Sequence, residues 1–194
     1  MSRRLLGVLL AGGASRRMGT DKALLTHPDG SSWLEAQVQL LRSVDLEVCV
    51  LTAHDRHHAL LRSRKGVIVQ AEPWQAAGPL WALSCLLNDR DDEALLTVPV
   101  DMPCLRLDAL QRLLICWSKQ QSLALVADDG FRLQHLLGIY PCGVFNRMAL
   151  DAELTEGKGR WRGWLERIPH DTLKLPSDQL VNVNRPIDLA ALTR

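Results

Sequence analysis

Short apolar runs in this chain alternate with longer stretches of helical periodicity, and that alternation limits what it can fold into. "LLGVLL" (5–10), "LEVCVL" (46–51), "GVIVQ" (66–70) and "EALLTVP" (93–99) each suit a buried strand. Between them, "WLEAQVQLLRS" puts Leu34, Val38 and Leu41 on one helical face, and "HDRHHALLRS" suits a second helix. "GPLWALSCLLND" aligns Leu80, Leu83 and Leu87 behind Pro79, a residue suited to the first turn of a helix. Such alternation predicts βα units and a largely parallel sheet, with "EALLTVP" as a central strand.

Further along, "LDALQRLLICW" reads as a helix with Leu107, Leu110, Leu114 and Trp117 inward. "LALVA" and "LQHLLGIY", joined across "DDGF", read as a hairpin because Asp-Gly supplies turn geometry, so the sheet is expected to be mixed at one edge. "VFNRMALDAEL" and "GRWRGWLERI" are helical, with Trp161, Trp164, Leu165 and Ile168 as core residues. Weak strands around "TLKL" and "LVNV" and a short helix after Pro186 close the chain. With no linker or repeat, 194 residues predict a single domain over 1–194.

Composition narrows the function classes. A net charge of +1 gives no general attraction to nucleic acid, so any basic function must be local. No stretch reaches the ~18 apolar residues of a membrane helix. The start "MSRRLLGVLLAGG" looks like a signal peptide, yet its apolar run is short and leads into charged residues. Five cysteines without a C-x-x-C pair point to reduced thiols, small core residues and a cytoplasmic location.

The segment "LAGGASRRMGTDKALL" (10–25) follows the first strand, where open α/β sheets bind ligands. It is not a Walker loop, since Gly19 is followed by Thr20 and not lysine, nor a dinucleotide fingerprint, since position 14 is Ala14. It does have the parts to hold a nucleoside triphosphate. Gly12 and Gly13 allow close backbone approach, and Arg16, Arg17 and Lys22 can neutralise phosphate oxygens. A solvated glycine turn bearing surface cations has the same composition.

"LLTVPVDMP" adds a second element: Asp101, between Pro99 and Pro103 at the carboxyl end of the central strand. A carboxylate there shares the ligand edge with the glycine loop and suits Mg²⁺, which binds one or two carboxylates together with substrate phosphates.

"LAGGASRRMGTDKALL", "GPLWAL", "VPVDMP" and "NVNRPIDL", in that order, resemble the motifs of the MobA-like nucleotidyltransferases from Leu6 to Leu189. The resemblance implies a three-layer α/β/α, Rossmann-like nucleotidyltransferase fold with a mostly parallel sheet. It implies that Leu10, Ala11, Gly12 and Gly13 contact the nucleotide, that Arg17 and Lys22 face its triphosphate, and that Asp101 binds Mg²⁺. Glu72 in "AEPWQAAGPL" matches an acidic nucleotide-binding position, although aspartate is commoner there. Gln134, Asn182 and Asn184 match positions that hold the pterin. The family's frequent Asn after the second strand has no counterpart, because Leu51 and Thr52 stand there, and its His/Gln-Pro pair is "QH" here, with His135 after Gln134.

The implied reaction moves GMP from GTP to the terminal phosphate of molybdopterin or molybdenum-molybdopterin, releasing pyrophosphate. Other molybdenum cofactor biosynthesis proteins and molybdoenzyme chaperones are the implied partners, with no role for nucleic acid or membrane. A cytidylyl-transferring sibling and a sugar-phosphate nucleotidyltransferase remain open within the enzyme class, and a non-catalytic nucleotide- or cofactor-binding protein outside it. His54, His57 and His58 lack a structural zinc pattern and read as a solvated helix face. Lys158, Arg160, Arg162 and Arg167 read as the exposed face of the Trp161 helix.

Overall fold

In the computed structural model, which describes residues 3–13, 15, 17–71, 78–87, 90 and 92–192, strand β1 (Arg4–Leu10) forms from the first apolar run. Its two faces go to different cores. Leu9 packs into one apolar cluster and Leu6, Val8 and Leu10 into another, so the strand is apolar at nearly every position and not alternating.

Helix α1 (Trp33–Arg42) starts at a capping box, in which the Ser32 hydroxyl accepts from the Glu35 amide and Glu35 accepts from the Ser32 amide. Then come β2 (Val48–Thr52), α2 (Asp55–Leu61), β3 (Val67–Ala71), α3 (Pro79–Leu87) and β4 (Glu93–Pro99). The second half adds α4 (Leu107–Ser118), β5 (Ala124–Asp128), β6 (Leu133–Pro141), α5 (Val144–Thr155), α6 (Trp161–Leu165), β7 (His170–Lys174) and α7 (Pro186–Leu192).

The strands form one seven-stranded sheet in the order β3-β2-β1-β4-β6-β5-β7, with β4 in the middle as its apolar run predicts. Strand β6 runs antiparallel to both β4 and β5, whereas the other pairings are parallel. The hairpin therefore mixes one half of the sheet, and β7, parallel to β5, forms that edge. Asp129 sets the hairpin turn by accepting from the Phe131 and Arg132 amides at 2.8 and 2.9 Å.

Helices α1 and α4 cover one face, through residues such as Trp33, Leu41, Leu110 and Leu113. Helices α3, α5 and α6 cover the other, where Tyr140 of β6 stacks on Trp164 and meets the edge of Trp161. This is the three-layer α/β/α arrangement that the resemblance implies, built on the βα units that the alternation predicts.

Three expectations change. Leu107 of α4 is exposed, and Leu113 stands in the buried stripe with Leu110 and Trp117. "LVNV" (180–183) is not a strand: it lies outside the sheet, and its backbone is tied to the strand ends by the Val183 amide donating to the Asp101 carbonyl at 2.9 Å. The segment crosses the ends of the strands instead of pairing along one. The cysteines, all free, are not uniformly core residues: Cys49 and Cys142 are buried, but Cys85 is exposed on α3. Among the described residues no helix is long and apolar enough to cross a membrane.

Candidate active site

A cleft opens at the carboxyl ends of β1 and β4, the edge where parallel strands present their following loops. Its walls come from four separate segments: Leu10 to Gly13 with Ser15 and Asp21 to Ala23, then Gly78 and Pro79 at the start of α3, then Pro99 to Asp101, and Leu136 of β6. The loops are tied to the sheet. The Ala11 amide donates to the Leu51 carbonyl at 2.9 Å, and the Val100 amide to the Leu10 carbonyl at 3.1 Å.

A Cβ built on Gly13 would meet nothing within 4 Å, so the chain's own packing does not require glycine there. The open space belongs to the cleft. Gly78 sits at a φ of +86°, a conformation that suits glycine, just before α3.

Ser15 organises the loop beyond the glycines. Its carbonyl accepts from the Met18 amide at 2.9 Å, and its hydroxyl accepts from the Lys22 amide at 3.2 Å. The next turn is a 3-10 helix, Lys22–Leu24, capped by Asp21, whose Oδ1 accepts from the Ala23 amide at 3.1 Å. This cap fixes where Lys22 leaves the backbone.

Lys22 then reaches from the loop after β1 to the loop after β4. Its Nζ lies 3.0 Å from Asp101 Oδ2 and 2.9 Å from Asn184 Oδ1, with the Lys22 and Asp101 side chains only 13% and 17% exposed. Asn184 is set by the start of α7: Pro186 occupies the first helical position, and Asp188 Oδ2 accepts from the Asn184 and Arg185 amides at 2.9 and 2.8 Å.

The other oxygen of Asp101, Oδ1, is buried with no hydrogen-bond partner among the described residues. A carboxylate oxygen in that condition is suited to a cation or to a donor brought by a ligand. Among the described residues no cluster of three or more His, Cys, Asp or Glu could hold a metal ion. One carboxylate with an open oxygen is a donor set of the kind that holds a divalent cation together with ligand phosphates. Gln37, buried in α1, steadies the loop after Asp101 by donating to the Met102 carbonyl at 2.7 Å.

The residues singled out by sequence distribute as follows. Leu10, Ala11, Gly12, Gly13, Lys22 and Asp101 line the cleft together, and Asn184 joins them through Lys22. Arg17 lies exposed on a turn of the same loop, outside the cleft lining. Asn182 donates to Gln134 Oε1 at 2.9 Å, and Gln134, itself buried, donates to Asp129 at 2.7 Å. These two amides form a unit beside the site, linked to it by the 181–184 segment. Glu72 and Arg16 lie outside the described residues.

The reading of His54, His57 and His58 as a solvated face is corrected at its middle member. His57 is completely buried, with Nδ1 2.6 Å from Thr52 Oγ1 and Nε2 2.9 Å from Asp21 Oδ2. Burial favours the neutral ring and holds this imidazole below its ordinary pKa, against the pull of Asp21 toward the charged form. Thr52 is consequently committed inward and does not line the cleft.

Ser15, Asp21, Thr52 and His57 were not recognised from sequence. Only Asp21 carried a usable signal, as an Asp directly before "KAL" in N-cap position. The Lys158, Arg162 and Arg167 side chains are exposed or half-exposed and paired with Glu156, Glu166, and Glu153 with Glu156, respectively, as a solvated helix face would be.

Comparison with known proteins places these features in context. A family model described as the MobA-like NTP transferase domain matches residues 7–172. A relative from Rhodopirellula baltica named "Probable molybdenum cofactor guanylyltransferase" is 37% identical over 191 residues, covering 95% of this chain and 90% of its own. One of the same name from Synechococcus elongatus is 32% identical, covering 95% of this chain and 96% of its own. The crystal structure of molybdopterin-guanine dinucleotide biosynthesis protein A from Archaeoglobus fulgidus superimposes with a TM-score of 0.73 at 19% identity, covering 95% of both chains, and so shares the fold.

Proposed function

This chain belongs to the MobA-like NTP transferase family, and from that premise we propose that it transfers GMP from GTP to the terminal phosphate of molybdopterin, with or without molybdenum, releasing pyrophosphate. The convergence of Lys22, Asp101 and Asn184 on one side of the glycine-loop cleft carries the proposal. A cation and a carboxylate with one uncommitted oxygen are the two groups that a magnesium triphosphate needs from a protein.

In this reading the backbone of Leu10 to Gly13 cradles the nucleotide. A terminal phosphate oxygen of the acceptor attacks the α-phosphorus of GTP; a new P–O bond forms, and the bond from the α-phosphorus to the bridging oxygen breaks with pyrophosphate leaving. The nucleophile is already anionic, so no general base is needed, and catalysis is positioning and charge neutralisation.

Mg²⁺, when bound, would neutralise triphosphate oxygens, and Asp101 would hold it. Lys22 exchanges part of its contact with Asp101 for the phosphates and stabilises the charge that builds on pyrophosphate. Arg17, at the exposed rim of the loop, screens the same charge. Asn182 and Asn184 face the acceptor, Gln134 holds Asn182 in place, and Glu72 contributes to nucleotide binding.

Incubation with molybdopterin, Mg²⁺ and either GTP or CTP tests the reading. Pyrophosphate release and formation of a guanine dinucleotide, faster with GTP than CTP, are expected. Faster turnover with CTP, or none with either, would overturn it.

A further inference from the structure

Outside the cleft, His57 is a fully buried polar side chain with both ring nitrogens engaged. It comes from α2, thirty-six residues from Asp21 in sequence, and is 0% exposed. A buried imidazole is costly unless both nitrogens are satisfied, and an apolar side chain would fill the same volume without that demand. Here both nitrogens are used, and the contacts form a directed series.

The His54 amide donates to Thr52 Oγ1 at 3.1 Å. Asp21, as a carboxylate, only accepts, so the neutral ring keeps its proton on Nε2 and its Nδ1 accepts from the Thr52 hydroxyl. Nε2 donates to Asp21 Oδ2. Asp21 accepts with its other oxygen from the Ala23 amide, inside the turn that carries Lys22. Every donor and acceptor in the series is satisfied by a neutral ring in this one tautomer.

We propose that His57 is a positioning residue: by holding Asp21 it orients the turn that aims Lys22 at Asp101, although its ring touches no substrate. The inference rests on the nucleotidyl-transfer reading above. Asp21 belongs to the cleft wall and His57 does not, so the ring acts on the site only through Asp21. A displacement of about 1 Å in a group that stabilises transition-state charge costs on the order of 100-fold in rate. Because Lys22 acts on charge that develops during transfer, the loss falls on kcat more than on KM for GTP.

Two measurements test this. In steady-state kinetics, His57→Leu lowers kcat by about 10- to 100-fold with KM for GTP nearly unchanged. His57→Gln, whose amide can still donate to Asp21, recovers activity to within about 5-fold of the unaltered protein. Wild-type kcat in His57→Leu, or His57→Gln no better than His57→Leu, overturns the proposal. If His57→Leu does not fold, Thr52→Val is read in its place: it removes one link, and its kcat falls about 5-fold, whereas an unchanged kcat counts against the series.

The second measurement is independent of turnover. Nitrogen NMR should show His57 neutral and protonated on Nε2, and the Lys22 Nζ resonance should shift in His57→Leu, or in Thr52→Val if His57→Leu does not fold. A ring protonated on Nδ1, or a Lys22 resonance unmoved by the substitution, overturns the proposal whether or not a nucleotide is transferred. Failure of the unaltered protein to release pyrophosphate from GTP overturns only the assigned reaction.

Discussion

Lys22 Nζ and Asp101 Oδ2 lie 3.0 Å apart although seventy-nine residues separate them in the chain. Each comes from the loop after a strand, β1 and β4, which pair in parallel over their whole length. The ion pair is therefore a product of sheet order. Its partly buried position leaves each group dependent on the other until a ligand supplies a substitute.

Asp101→Ala should abolish nearly all transfer while the protein stays folded, since the loop also rests on the Gln37 bond to Met102 and the Val183 bond to the Asp101 carbonyl. A drop of about 100-fold or more in Mg²⁺-dependent pyrophosphate release is expected, with an unchanged circular-dichroism spectrum. Unaltered Mg²⁺-dependent turnover would remove Asp101 from the role assigned to it.

Asn184→Ala takes away one of the two acceptors on Lys22 Nζ but leaves the carboxylate. A single hydrogen bond to a charged group contributes about 1.5–3 kcal/mol, and a mobile lysine can recover part of it from water. The variant should be impaired less than Asp101→Ala, and the two losses should not add, because both act through Lys22. Parallel kinetics of the two single variants and the double variant check this.

Gly163→Ala should destabilise the fold without touching catalysis. A Cβ at this position on α6 would come 2.3 Å from Glu153 Oε1, and Glu153 is 1% exposed and held by Arg167 at 3.1 Å. Overpacking of this kind costs about 1–3 kcal/mol. Urea unfolding should show the loss, and kcat of the folded protein should match the unaltered chain.

Glu156 contributes to stability in a defined pH window. Hydrogen bonds from Arg167 and Lys158 lower its carboxyl from 4.5 to about 2. A depressed folded-state value means the contribution is complete above about 4.5 and disappears as pH falls toward about 2. The melting temperature of Glu156→Gln should fall below that of the unaltered protein at neutral pH, and the two should converge near pH 2. A gap that persists unchanged in acid would contradict the assignment.

Strand and helix periodicity carried most of the fold, because burial on both faces of the sheet demands the continuous apolar runs seen in β1, β2 and β4. Turn and cap chemistry carried much of the rest: Asp-Gly in the hairpin and the prolines that open α3 and α7. "LVNV" misled because apolar residues anchoring a crossing segment, Leu180 and Val183, have the same pattern as a short strand. Local propensity cannot tell an extended chain that pairs from one that does not.

Glycines 12 and 13, Lys22, Asp101 and the two asparagines of "NVN" can be picked out along the chain, each from its local setting. Which of them meet depends on the fold. It brought Lys22 to Asp101 and Asn184, left Arg17 at the rim, and turned His57 from a surface histidine into a buried partner of Asp21. The physical reason is range. Periodicity, capping and turn preferences act over a few residues, whereas the contacts of this site span 36, 79 and 162 positions and arise only when sheet order sets loops from distant strands side by side.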